Sequence, residues 1–451
     1  MNVSSSRVGS ASYLKSPTTS GILGAVSLLG IGYTLARFDI TSVLFPQRQC
    51  NATTSAVSKT SAVESRCYNA GGKQSLKAFK VLTEQATQRS TYPLAIKIEK
   101  NIPVYDSKTF DLNHEDFVFR LQDELYHVLL HGPGIFVLRN FYTSSSLLCI
   151  DSANTAYETI IAREAIDANG KKGDHFAAGG ANSRIWNSFS KHCLVDPESF
   201  FAYFSNPLFK LVSESYLGPA YRITSQVNIV RPGGKPQVSH RDYHLGFQTT
   251  ETCSKWPAAT HDLSALLTLQ GAVAHADMPL ESGPTRFLPF SQQFKGGYMA
   301  YRDKDFDDYF LDRWVSLPLR KGDAVFFSPG LHHGAGENTS KDVERSANLI
   351  QVSSAFGKTM ETIDALPLVE RTWDLLLAKY ELEGWSDEVE AFICAIAEGY
   401  PFPTNLDRRP PAPGGMAPES EQDLLRRGLG EGWDSQRTVD ELVAMREASK
   451  A

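Results

Sequence analysis

Between Tyr221 and Ser353 the chain is built from short apolar and β-branched runs separated by glycine- and proline-marked turns. Tyr221–Val230 ends at the Arg231-Pro-Gly-Gly234 turn, and Leu263–Ala274 reads as a buried strand. Leu280-Glu-Ser-Gly-Pro284 turns the chain into Thr285–Leu288, and Ala324–Phe327 and Ser346–Ser353 add two more strands. Upstream, Ile135–Leu138 is a short strand that follows the His131-Gly-Pro-Gly134 turn. Ser144–Ile166 carries apolar residues at helical spacing. Glu198–Tyr216 does the same, with Pro207 expected to kink or split it. Helices followed by many short strands imply a mainly β fold with flanking helices, an antiparallel barrel or jelly roll. No fixed-period repeat is present, which excludes a solenoid.

Within that region Val238–Gln248 concentrates metal-binding side chains: His240, Asp242 and His244 alternate. In an extended strand alternate side chains share a face, so His240 and Asp242 are expected to project together, with His244 one step further. Imidazole with carboxylate suits iron(II) or zinc rather than calcium. A two-His, one-carboxylate centre needs a second neutral imidazole from a distant strand. His332 and His333 stand just beyond the Ala324–Phe327 run, and Arg345 opens the next strand. Such a triad occupies one face of an octahedral ion and leaves three positions open. A 2-oxo acid can fill two of them, and its far carboxylate then calls for a planar guanidinium such as Arg345. Gln226, Asn228 and Gln270 are polar residues inside β-rich runs, where each needs a partner or a ligand.

Five motifs in order carry a resemblance. They are His240-Arg-Asp242, Ser282-Gly-Pro-Thr-Arg-Phe-Leu-Pro289, Gly322-Asp-Ala-Val-Phe-Phe327, His333-Gly-Ala-Gly-Glu-Asn338 and Arg345. Together, over residues 125–355, they resemble the phytanoyl-CoA dioxygenase family of iron(II)/2-oxoglutarate-dependent oxygenases. The resemblance implies a double-stranded β-helix core, and His333 rather than His332 as the distal ligand. It implies Fe(II) held by His240, Asp242 and His333, with 2-oxoglutarate held by Arg345. Gln226, Asn228 and Gln270 are further candidates for cofactor contacts, and Tyr243, His244 and Phe247 for the substrate pocket. The expected activity is dioxygenase hydroxylation of an aliphatic carbon of a small organic molecule, with O2 as co-substrate. An intact carboxylate at Asp242 argues against the halogenating variant. Two alternatives stay open: an inactive jelly-roll scaffold, and a jelly-roll metalloenzyme of non-oxidative chemistry. Two departures stand out. Ala335 occupies a position that is often Ser in the family, and Phe290-Ser-Gln-Gln293 replaces a Gly-Ser/Thr-His turn.

The remaining segments divide around a 92–365 oxygenase domain. Residues 1–38 lack Asp and Glu, and 21–36 is an uncharged, mostly apolar run. A spanning helix needs about 20 such residues, so a membrane anchor or a mitochondrial-type targeting segment is expected there. Residues 39–91, rich in Ser, Thr, Ala and Gln, read as a poorly ordered linker with one short helix near Gln74–Gln88. Residues 366–451 read as C-terminal helices joined by a Pro-rich extended linker, with Trp433 anchoring the tail. A net charge of −6 excludes a general nucleic-acid binder. The six Cys form no Cys-x-x-Cys pair, which suits a reduced, intracellular protein.

Overall fold

The computed structural model describes residues 63–167 and 182–451. The anchor and targeting readings of 1–38, and the first part of the linker reading, lie outside the described residues. Among the described residues, no helix is long and apolar enough to cross a membrane.

The strands, in chain order, are β1 (Lys97–Glu99), β2 (Ile102–Asp106), β3 (Ile135–Arg139), β4 (Asn182–Ile185) and β5 (Arg222–Val230). They continue with β6 (Thr268–Ala274), β7 (Arg286–Phe287), β8 (Ala324–Phe327), β9 (His333–Gly334) and β10 (Arg345–Ser353). One sheet runs β1-β2-β3-β8-β6-β10-β5-β4. It is antiparallel except where β2 meets β3. Facing it is a second, shorter layer. There β7 pairs with β9, His240 bridges His333, and Phe287 bridges Val315. Read along the chain, β5, the His240 segment, β6 and β7 alternate between the two layers, the Val315 segment stays beside β7 in the shorter layer, and β8, β9 and β10 alternate again, the order of a jelly roll. The expected core architecture is therefore present.

Side-chain alternation explains why the large sheet reads as near-continuous apolar runs: both of its faces are covered. Phe136 and Leu138 of β3, Leu269 and Val273 of β6, Phe326 of β8 and Ile350 and Val352 of β10 enter the core shared with the helices. Their neighbours Ile135, Val137, Ala272, Val325, Phe327 and Ala347 point the other way, into the barrel. The helix side comprises Leu147–Asp167, Ser188–Val195, Pro197–Phe204, Pro207–Leu217, Ala365–Glu383 and Asp387–Ile396. Pro207 splits the second helical stretch by starting a new helix, with Asn206 capping Leu208 N. The Leu263–Ala274 expectation needs correction. Residues up to Leu266 belong to helix Ala258–Leu266, and the strand begins only at Thr268. A short apolar run does not distinguish a buried helix end from a strand.

From Glu64 onward the supposed linker belongs to the same compact unit as the barrel. Helix Leu76–Thr83, capped by Ser75, buries Phe79 completely. Its ring meets Phe294 at 5.2 Å, Phe306 at 5.0 Å and His332 at 5.1 Å. Emptying such a site costs both transfer energy and a cavity, so Phe79→Ala is expected to destabilise the protein by about 3–5 kcal/mol. Urea unfolding of the two proteins measures this, and an unchanged midpoint would mean the segment does not hold the fold.

At the other end, helices Glu421–Gly430 and Ser435–Ser449 are not merely polar: Leu424, Leu425, Leu429 and Leu442 are buried. Trp433 is buried too, and its carbonyl accepts the Trp373 indole N–H at 2.8 Å. Arg427 and Arg437 lie over its ring at 4.6 and 4.4 Å. The Pro-rich segment is tied to the last helix. Asn405 Nδ2 donates to Lys450 O at 2.9 Å, and Arg409 Nη1 donates to Ser449 Oγ at 2.9 Å.

Candidate metal centre and its cavity

The backbone bridge between His240 and His333 sets two imidazoles side by side. His240 N donates to His333 O at 2.9 Å, His333 N donates back at 3.1 Å, and the ring centroids lie 4.4 Å apart. Each ring uses Nδ1 in the same way. His240 Nδ1 is 2.9 Å from Val238 O, and His333 Nδ1 is 2.9 Å from Leu331 O. A carbonyl can only accept, so both protons sit on Nδ1 and both Nε2 atoms present lone pairs. Those two Nε2 atoms face one carboxylate, at 3.6 Å from Asp242 Oδ1 and 3.5 Å from Asp242 Oδ2. One ligand atom from each of His240, Asp242 and His333 falls within a 4.8 Å cluster. Three converging acceptors with no proton among them fit a cation, and this donor set suits iron(II) or zinc.

Burial alone would push the Asp242 carboxyl up. Positive charge on the flanking imidazoles when either Nε2 takes up a proton, together with the Gln270 amide N–H, outweighs it and holds the carboxyl below its usual range. Burial also lowers the His240 imidazole, which favours the neutral, metal-binding form.

Past Asp242 the chain departs from the expected strand. Asp242 N donates to Pro329 O at 2.9 Å, after which Tyr243 and His244 take φ of +64° and +39°. The chain then enters a 3-10 turn, His244–Phe247. Left-handed φ at two residues with full side chains breaks the alternation on which the shared-face expectation relied. His244 is carried off the ligand face, and its Nδ1 lies 3.2 Å from Ser264 Oγ. The Tyr243 hydroxyl is buried beside Thr224 and Ser353. Neither residue lines the cavity, whereas Phe247 does, standing 62% exposed at its rim. The expectation of Tyr243 and His244 as pocket residues is corrected accordingly.

The cavity measures about 970 Å³ and contains the triad. Gln226 and Asn228 of β5, Gln270 of β6 and Arg345 of β10 all line it, as expected of polar residues on inward strand positions. Arg345 is 5% exposed, has no carboxylate partner among the described residues, and leaves Nη1 without any hydrogen bond. Burial pushes its guanidinium down to about 10, so it stays charged at neutral pH. Gln226 Nε2 approaches Met360 Sδ at 3.3 Å, and Asn228 Oδ1 is buried without a partner. Gln351, which the sequence reading did not single out, also lines the cavity. The signal was available, because Arg345, Ala347, Leu349 and Gln351 alternate along one strand and share its inward face.

His332 stays on the far side of the backbone, fully buried among Phe79 and Tyr301.

The motif glycines and polar residues hold the frame. Gly283 has φ of +71°, and a Cβ there would lie 2.3 Å from Glu337 O. Gly336 N donates to Gly283 O at 3.1 Å. The Ser-Gly turn and the His-Gly-x-Gly segment therefore cross at backbone contact, which only glycine permits. Asn338 Nδ2 donates to Val230 O at 2.9 Å and Val343 O at 2.8 Å, closing the turn before Arg345. Asp323 is structural as well, accepting from Arg139 at 2.5 Å and from Asn140 N at 2.9 Å.

The jelly roll thus brings two imidazoles and a carboxylate together as a group that could hold one metal ion. Residues 131–347 match the family model of phytanoyl-CoA dioxygenase (PhyH), and this region of the chain is a phytanoyl-CoA dioxygenase family domain. A curated relative, the dioxygenase trt7 of Aspergillus terreus, is 25% identical over 209 residues. That match covers 46% of this chain and spans 65% of the relative's length. Among solved structures, the non-heme alpha ketoglutarate dependent carbocyclase SnoK from nogalamycin biosynthesis is 17% identical, with a TM-score of 0.37. The match covers 55% of this chain and 86% of that one. HygX from Streptomyces hygroscopicus, with nickel, 2-oxoglutarate and hygromycin B bound, is 12% identical with a TM-score of 0.37. It covers 52% of this chain and 89% of its own.

Proposed function

We propose that this protein is an iron(II)- and 2-oxoglutarate-dependent dioxygenase that oxidises an aliphatic carbon of a small organic molecule. The observation that carries the reading is the pairing of two features in one cavity. Two imidazole lone pairs and a carboxylate converge on one point, and a buried guanidinium lines the same space without a carboxylate partner. Iron(II) together with the 2-oxo acid supplies the oxygen-activating redox chemistry that no protein side chain provides. The chain's own residues do the rest. His240, Asp242 and His333 would hold the ion. Arg345, buried on the cavity wall, would receive the far carboxylate of the co-substrate. Gln226 and Asn228 offer amides on the same wall for the co-substrate or substrate.

The apolar part of the lining, including Val137, Ala272, Leu319 and Val325, keeps water from the reacting carbon and accepts a hydrocarbon skeleton. Phe247 stands where a substrate enters. A zinc hydrolase would have no use for a carboxylate clamp at Arg345, which favours the oxygenase over non-oxidative chemistry. The test is product analysis with the full chain, iron(II), 2-oxoglutarate and air. Slow succinate formation that stops on iron removal is expected even without substrate. Succinate production unaffected by chelation, or none at any iron concentration, would overturn the reading.

A further inference from the structure

We infer that Gln270 is the positioning residue for Asp242, withdrawing one carboxylate oxygen from the metal and leaving Oδ1 as the ligand atom. The inference rests on the metal centre proposed above. Gln270 stands in the middle of β6, in register with Gln351 on β10 and with Phe327 on β8. That row forms the floor under the triad. Phe327 packs edge-on to His333 at 4.8 Å, and Gln270 Nε2 donates to Asp242 Oδ2 at 2.6 Å. The amide orientation is fixed by charge, because its oxygen at that distance from an ionised carboxylate would be repelled.

Gln270 is 2% exposed, and its Oε1 is buried with no partner among the described residues. A buried amide left half satisfied is a cost to folding, so its retained hydrogen bond to Asp242 is the contact that matters. With Oδ2 engaged by Gln270, Asp242 offers the ion a single oxygen. The remainder of Asp242 is held too: its N bonds Pro329 O at 2.9 Å, and its O accepts from Tyr298 at 3.1 Å. Backbone bonds fix where the carboxylate is, and Gln270 fixes how it is turned. A carboxylate free to swing could bind through both oxygens and close a position that the co-substrate needs.

The test compares the full chain with Gln270→Leu and, as a second shape, Gln270→Met. Anaerobic iron(II) titration gives the metal Kd, addition of 2-oxoglutarate gives the visible charge-transfer band, and thermal unfolding without iron gives stability. Loss of a partner that orients a ligand costs about 10–100-fold in metal affinity. A weakening of that size and a shifted band are expected in both variants, with a modest fall in the iron-free unfolding midpoint from the carboxylate oxygen left without its donor. A packing role alone would leave the Kd and the band in place however the midpoint moved. Wild-type Kd and band in either folded variant would overturn the inference while leaving the metal centre standing. Failure of the unmodified chain to take up iron would instead remove the metal centre, and this inference with it.

Discussion

Replacing His240 by alanine is expected to abolish iron(II) binding, with a loss beyond the about 100-fold that upper-end outer partners cost. Three features concentrate the effect. His240 supplies one of only two imidazoles at the site, and its Nδ1 bond to Val238 O fixes which nitrogen faces the ion. The backbone bridge to His333 is made by main-chain atoms and survives the substitution. The variant therefore keeps its fold and loses its metal, and no succinate should form at any practical iron concentration. Isothermal titration under nitrogen, with circular dichroism as the fold control, separates the two. A His240→Ala protein that binds iron normally would remove this residue from the site.

Arg345→Met should act on the co-substrate instead. Truncating one partner of a buried, hydrogen-bonded charge pair costs about 2–5 kcal/mol, or about 30- to 4,000-fold in the Kd for 2-oxoglutarate. The upper part of that range is expected, because Ala335 lines the same cavity and offers no hydroxyl to share the load. Iron affinity should hardly change. Stability moves in the opposite direction. Among the described residues Arg345 is a buried cation without a carboxylate partner, so an apolar side chain of similar length should leave the unfolding midpoint equal or higher. Stability sacrificed at a binding residue is a common trade in functional sites. Lower stability together with unchanged 2-oxoglutarate binding would mark Arg345 as a structural residue.

Much of this arrangement was legible in the sequence where a rule of periodicity or backbone conformation applied. Gln226, Asn228 and Gln270 stood out as polar residues inside β-rich runs, a signal that leaves open whether each faces the cavity or solvent; the structure puts all three on the cavity wall with Arg345. Alternation from Arg345 along β10 would have found Gln351 as well. The glycines of Ser282-Gly and His333-Gly-x-Gly mark a backbone crossing, a requirement written directly in residue type. Reading failed where tertiary contacts overrode local pattern. Tyr243 and His244 adopt left-handed φ although neither is glycine, so nothing in the stretch announced that the expected strand would be a single β-bridge at His240 with a turn after Asp242. Phe79 stands with Leu76 and Leu82 at helical spacing, but the Ser-, Thr- and Gln-rich stretch around that run gave no sign that it would fill a gap beside His332. Helix Ala258–Leu266 runs almost directly into β6, and a single apolar run hid the boundary.

The most direct test of the account is an anaerobic titration of the full chain with iron(II), followed by 2-oxoglutarate, read in the visible. Stoichiometric uptake of one iron is expected, and then a weak charge-transfer band that appears only when 2-oxoglutarate is added. The band should be absent in His240→Ala and should need far more 2-oxoglutarate in Arg345→Met. A chain that takes up no iron, or that shows the same band in His240→Ala as in the unmodified protein, would contradict it.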